Sequence, residues 1–101
     1  MTETYGNLID GEWRPARSGK TFDDVNPADT RDVVGRCAAS DAQDVDDAVE
    51  AAARAFPGWA ATPAPVRGRY LLQASRALES QLGEVADLLS REEGKTIGEA
   101  K

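Results

Sequence analysis

The chain has 101 residues, 18 of them acidic and 12 basic, for a net charge of -6, with no histidine and one cysteine. That length supports one small domain, and the negative charge repels phosphate backbones and anionic lipid, so neither nucleic acid nor membrane is expected as a partner. No run approaches the roughly 20 apolar residues of a membrane span, and without histidine there is no imidazole general base and no zinc site of the usual kind.

Residues 1–6 lack the basic-then-apolar layout of a signal peptide. They are expected to be disordered, and the protein to be cytoplasmic. Asn7 to Arg14, NLIDGEWR, reads as a hairpin turning at Asp10-Gly11, because a type I′ turn needs positive φ at both central positions. A second strand is expected at Thr21 to Val25, ended by Asn26-Pro27. Asp29 and Thr30 are expected in a turn. A third strand, Asp32 to Ala38, is built on Val33 and Val34, with Gly35 hinting at a bulge.

Ser40 to Trp59 carries the most regular helical pattern. Ser40 with Gln43 has capping-box spacing, and Asp41, Asp44, Asp46 and Asp47 crowd the positive end of the helix dipole. Val45, Val49, Ala52 and Phe56 recur as one apolar stripe. Pro57 and Gly58 are expected to stop this helix, with Trp59 folding back on the stripe. Thr62 and Pro63 then suggest the start of a second helix through Val66, Tyr70, Ala74, Ala77 and Leu78. A third is expected from about Leu82 to Glu93, with Gly94 as its C-cap. These two helices are the expected local partners of the first stripe. Thr96 and Glu99 form another capping-box pair, announcing a helix from about Ile97. A single turn fixes several residues for one hydrogen bond, so the chain is expected to be the front of a longer protein. The fold class expected is α+β: a short hairpin and strands, then three helices.

Few residues here suggest chemistry. Gly94-Lys95-Thr96 imitates the end of a phosphate-binding loop, but the first glycine of that motif would fall on Leu89, and the preceding segment reads as helix rather than strand. Cys37 sits in an expected strand with no histidine to activate it, so a small core residue is the better reading. Glu92 and Glu93 are adjacent and project about 100° apart on a helix, which rules out a facing acid/base pair. Trp13, Trp59 and Tyr70 are read as core aromatics.

Three stretches, NLIDGEWRPARSGKTFDDVNPAD, VVGRCAASDAQDVDDAVEAAARAFPGWA and RGRYLLQASRALESQLGEVADLLSREEGKTIGEA, together resemble the N-terminal segment of the NAD(P)-dependent aldehyde dehydrogenase superfamily. Ile9, Gly11 and Trp13 match its opening hairpin, Asn26, Pro27 and Ala28 an N-P-A turn, Ala39 through Trp59 its first long helix, and Glu92, Gly94 and Lys95 an E-x-G-K pattern. The resemblance covers nearly everything after Tyr5. It implies that residues 7–101 belong to a Rossmann-like α/β cofactor domain, in an enzyme that oxidises an aldehyde, such as a semialdehyde, to a carboxylate with NAD or NADP.

In that family the nucleophilic cysteine, the activating glutamate and the dinucleotide-binding glycines lie downstream, so the resemblance assigns no catalytic and no cofactor-binding residue to this chain. It implies one minor site, a structural monovalent cation held by the Val25 carbonyl and the Glu92 side chain with a third ligand from further along. It also implies the rest of the subunit as partner, a homo-oligomer for the intact enzyme, and no dehydrogenase activity in 101 residues alone. The alternative is a non-catalytic truncated module that docks on a full-length partner.

Overall fold

The computed structural model describes residues 2–101. Strands β1 (Thr4–Tyr5), β4 (Thr21–Asn26) and β5 (Asp29–Ala38) form a three-stranded sheet in the order β1-β5-β4, and β2 (Asn7–Ile9) and β3 (Glu12–Arg14) form a separate hairpin. Helices α1 (Ala42–Ala61), α2 (Ala64–Ser80), α3 (Leu82–Glu93) and α4 (Ile97–Ala100) follow.

The hairpin turns as its sequence requires, with φ of 54° at Asp10 and 78° at Gly11. β4 runs antiparallel to β5, and β1 pairs with β5 in parallel through Thr4↔Arg36 and Tyr5↔Cys37. Thr4–Tyr5 therefore differ from the disorder expected for residues 1–6: the open edge of β5 supplies a hydrogen-bonding partner that a local reading could not see. Asp29 and Thr30 belong to β5 rather than to a turn, and the turn is confined to Pro27 and Ala28. The register slips between Asp24↔Gly35 and Val25↔Val33, leaving Val34 as the extra residue of a bulge beside Gly35. Gly35 has a further reason to be glycine, since a Cβ there would lie 2.6 Å from the Tyr5 ring.

α1 is capped by Asp41 and Asp44 rather than by Ser40 and Gln43. Asp41 accepts from the amides of Gln43 and Asp44, and the Asp44 carboxylate accepts from the Asp41 amide in return. Ser40 is committed elsewhere, its Oγ accepting from Asn7 Nδ2 at 2.8 Å. The helix also runs through Pro57 to Ala61 instead of stopping there. Pro57 withholds an N–H from the Ala53 carbonyl, but this stretch is exposed, so solvent can take up that carbonyl. Thr62 is accordingly the C-cap of α1, its Oγ1 donating to the Gly58 carbonyl, and Pro63 takes the position before α2. α3 spans the expected residues and ends in Gly94 at φ 85°, the left-handed conformation glycine adopts without strain. Thr96 and Glu99 form the expected capping box.

The core is small. Among the described residues, Ile9, Ala16, Val34, Ala51 and Ala86 are the buried apolar side chains, and no large side chain is fully enclosed. The Cα radius of gyration is 16.8 Å, against about 13 Å for a compact domain of 100 residues. The accessible area of 7697 Å² exceeds by about 2,000 Å² what a folded monomer of this mass exposes. Much of the surface that this chain's apolar residues were expected to bury is open.

Candidate functional site

The open surface is concentrated on two helices. In α1, Ala51 and Asp44 face the hairpin, where Ile9 lies beside Ala48, Ala51 and Ala55. About a quarter-turn away, Val45, Val49 and Phe56 stand in solvent, Phe56 at 66% exposure. Neither α2 nor α3 covers that stripe, contrary to the local partnership expected from sequence. Trp59, inside α1 rather than beyond it, meets Tyr70 of α2 with ring centroids 6.0 Å apart at 53°. The apolar side of α2 continues from that pair through Leu71, 68% exposed, and Leu78. α2 buries none of its residues. On the hairpin, Leu8 and Trp13 are opposed across the two strands and both exposed.

Polar contacts hold this frame without building a reactive centre. Asp44, only 5% exposed, accepts from the Arg17 amide as well as the Asp41 amide. These two backbone hydrogen bonds, that from Asp41 the larger, hold its carboxyl below the ordinary carboxylate range. The Arg17 guanidinium makes a forked pair with Asp47, fixing the loop after β3 to the first turns of α1. At the other end, Arg91 of α3 forks onto Asp32 of β5 at 2.6 and 3.1 Å, and Asn26 of β4 donates to the same carboxylate at 3.2 Å. Arg91 first, and Asn26 second, lower the Asp32 pKa. Sequence reading missed this three-element junction. Its partners are 59 residues apart, and no local pattern joins them.

The residues singled out for chemistry are dispersed. Cys37 is half-buried in β5 between Phe22 and Tyr5. Burial, with lesser contributions from Asp24 and Glu92, pushes its thiol up, the opposite of what a nucleophile needs. Gly94-Lys95-Thr96 joins two helix termini, and Lys95 turns to Glu93 at 3.4 Å. Among the described residues, no three histidine, cysteine, aspartate or glutamate side chains group as metal ligands. Val25 and Glu92 fall on elements that pack together, β4 and α3. Val25 is half-buried, with the ladder irregular on both sides of it. Glu92 is exposed and makes no ion pair among the described residues.

Fold and surface together describe a small α/β unit: a sheet and hairpin fastened to helices whose apolar faces are open. Comparison with known proteins identifies the family. The model of the aldehyde dehydrogenase family matches residues 13–101, and the chain belongs to that family. It is 43% identical over 98 residues to alpha-ketoglutaric semialdehyde dehydrogenase of Bacillus subtilis, covering 97% of this chain and 20% of that protein. The mitochondrial acylating methylmalonate-semialdehyde/malonate-semialdehyde dehydrogenase of Mus musculus is 41% identical over 94 residues, 93% of this chain and 17% of that one. Among solved structures, an NAD-dependent aldehyde dehydrogenase from Sinorhizobium meliloti superposes with a TM-score of 0.93 at 33% identity, covering 99% of this chain and 20% of that one. PnpE in complex with nicotinamide adenine dinucleotide gives 0.86 at 41%, with the same two coverages. The chain thus spans about a fifth of the length of these relatives, and its fold is that of the N-terminal portion of their Rossmann-like cofactor domain.

Proposed function

We propose that residues 7–101 serve as the N-terminal portion of the cofactor domain of an enzyme that oxidises an aldehyde to a carboxylate with NAD or NADP. A semialdehyde is the favoured substrate class, because two of the relatives named above are semialdehyde dehydrogenases. The observation that carries this reading is the mismatch between fold and cover. Near-complete superposition on family structures coincides with two long helices whose stripes are exposed. The role of the segment is to pack: the hairpin seats α1, the sheet seats α3 and through it α2, and the rest of the subunit closes over them. Homo-oligomerisation and a cytoplasmic setting belong to the same proposal for the intact enzyme.

The 101 residues alone are expected to carry out no turnover, since burial pushes the Cys37 thiol pKa up and the sequence offers no histidine to activate it. A monovalent cation would be held by the Val25 carbonyl and the Glu92 carboxylate, with further oxygen ligands from beyond this segment. It would serve to offset the acidic end of α3. The irregular ladder at Val25 and a Glu92 carboxylate without an ion pair among the described residues support this reading, and sodium or potassium should raise the intact enzyme's melting temperature. The mass of the native gene product tests the main reading. A subunit roughly five times this chain's length agrees with it, whereas a stable product of this length with NAD turnover overturns it.

A further inference from the structure

Arg67 occupies an unexpected place. At 100° per residue, positions 67, 71, 74 and 78 of α2 lie on one side of the helix, so Arg67 shares its face with Leu71, Ala74 and Leu78, flanked by Tyr70. Its side chain is half-buried, and its Nε is shut off from solvent without a hydrogen-bond partner. Arg69 and Arg76, the other two arginines of α2, are exposed. No carboxylate within salt-bridge distance of Arg67 exists among the described residues. An arginine on an apolar helix face that a partner covers is tolerated when an anion meets its guanidinium with good geometry, and is costly otherwise. Arginine is the cation best suited to this, because its planar fork accepts a carboxylate through two parallel hydrogen bonds.

We infer that the surface covering α2 in the assembled subunit presents a carboxylate to Arg67, which makes Arg67 the polar anchor of an otherwise apolar interface. The inference rests on the proposal that the remainder of an aldehyde dehydrogenase subunit is the occupant, as the relatives' roughly fivefold greater length suggests. An anchored charge of this kind fixes the register of a helix that apolar contacts alone would allow to slide or rotate. Leu71, Leu78 and Tyr70 supply area, and Arg67 supplies direction.

The test joins this chain to the last four fifths of the Bacillus subtilis relative, replacing that enzyme's own first fifth. Thermal melting is followed for the wild-type hybrid and for Arg67→Met, Arg67→Gln and Arg67→Lys. The expected result is a drop of several degrees for Arg67→Met and Arg67→Gln, a smaller one for Arg67→Lys, and no loss for any of them in the isolated 101-residue chain. Equal melting of the Arg67→Met and wild-type hybrids overturns the anchor. Rescue by Arg67→Gln as complete as by Arg67→Lys overturns the carboxylate, since a neutral acceptor would then suffice. An equal loss in the isolated chain overturns the interface, because the arginine would be acting locally. Failure of the wild-type hybrid to assemble counts instead against the subunit reading on which the anchor depends.

Discussion

Phe56 offers a quantitative separation between what the chain buries by itself and what a covering partner would bury. Its ring is part of the α1 stripe and 66% exposed, so folding of the isolated chain removes about a third of it from water. Truncating a fully buried phenylalanine to alanine costs about 3–5 kcal/mol, combining lost transfer energy with the cavity left behind. Scaled to a third, and with no closed cavity at an open surface, Phe56→Ala should cost the isolated chain about 1 kcal/mol. In the hybrid subunit, where α1 is covered, the full ~3–5 kcal/mol should appear. Urea unfolding followed by helical circular dichroism measures both, with an unchanged denaturant slope showing that the mutation altered stability rather than the denatured state. A cost above ~2 kcal/mol in the isolated chain, or equal costs in the two settings, would refute the reasoning.

Other consequences are local. Gly94→Ala should weaken the junction of α3 and α4 by about 1–2 kcal/mol, because φ of 85° places a Cβ against the adjoining carbonyl; urea midpoints check this, and a neutral substitution contradicts the left-handed cap. Asp32 has its pKa lowered in the folded chain, chiefly by Arg91 and then by Asn26. Its stabilising contribution is therefore full above the unfolded carboxylate pKa of about 3.9 and disappears as pH falls through the depressed folded value. Arg91→Met should flatten the pH dependence of stability in that acidic window while leaving its shape near neutrality unchanged. Asp44→Asn keeps one acceptor oxygen where two amides now donate; amide hydrogen exchange should accelerate at Arg17 or Asp41, and unchanged protection at both would contradict the assigned hydrogen bonds.

Elements governed by short-range chemistry were legible in the sequence. Asp10-Gly11 specifies its turn through backbone conformation, and Gly94 ends α3 for the same reason. Thr96 and Glu99 satisfy each other's amides within one helical turn. Where several residues could do the same job, tertiary contacts decided. Ser40 and Asp41 are both good caps, and Asn7, brought alongside by the hairpin, engages Ser40 and leaves Asp41 to cap α1. Pro57-Gly58 is a strong stop signal in isolation, yet α1 passes through it at an exposed surface where the unpaired carbonyl can be solvated. The β1–β5 pairing and the Asp32–Arg91 junction depend on residues tens of positions apart and had no local signature.

The stripe on α1 is the most instructive case. Its periodicity marks a face suited to burial, and α2 and α3 leave that face open. Periodicity identifies an apolar face. It does not say whether the covering surface lies within the same 101 residues.

The most direct measurement is NADH formation by the hybrid subunit supplied with NAD and alpha-ketoglutaric semialdehyde, beside the isolated chain under the same conditions. The expected result is turnover by the hybrid and none by the isolated chain. A hybrid that folds and assembles but is inert, or turnover by the 101 residues alone, would contradict the assignment of this chain as a packing element of an aldehyde dehydrogenase cofactor domain.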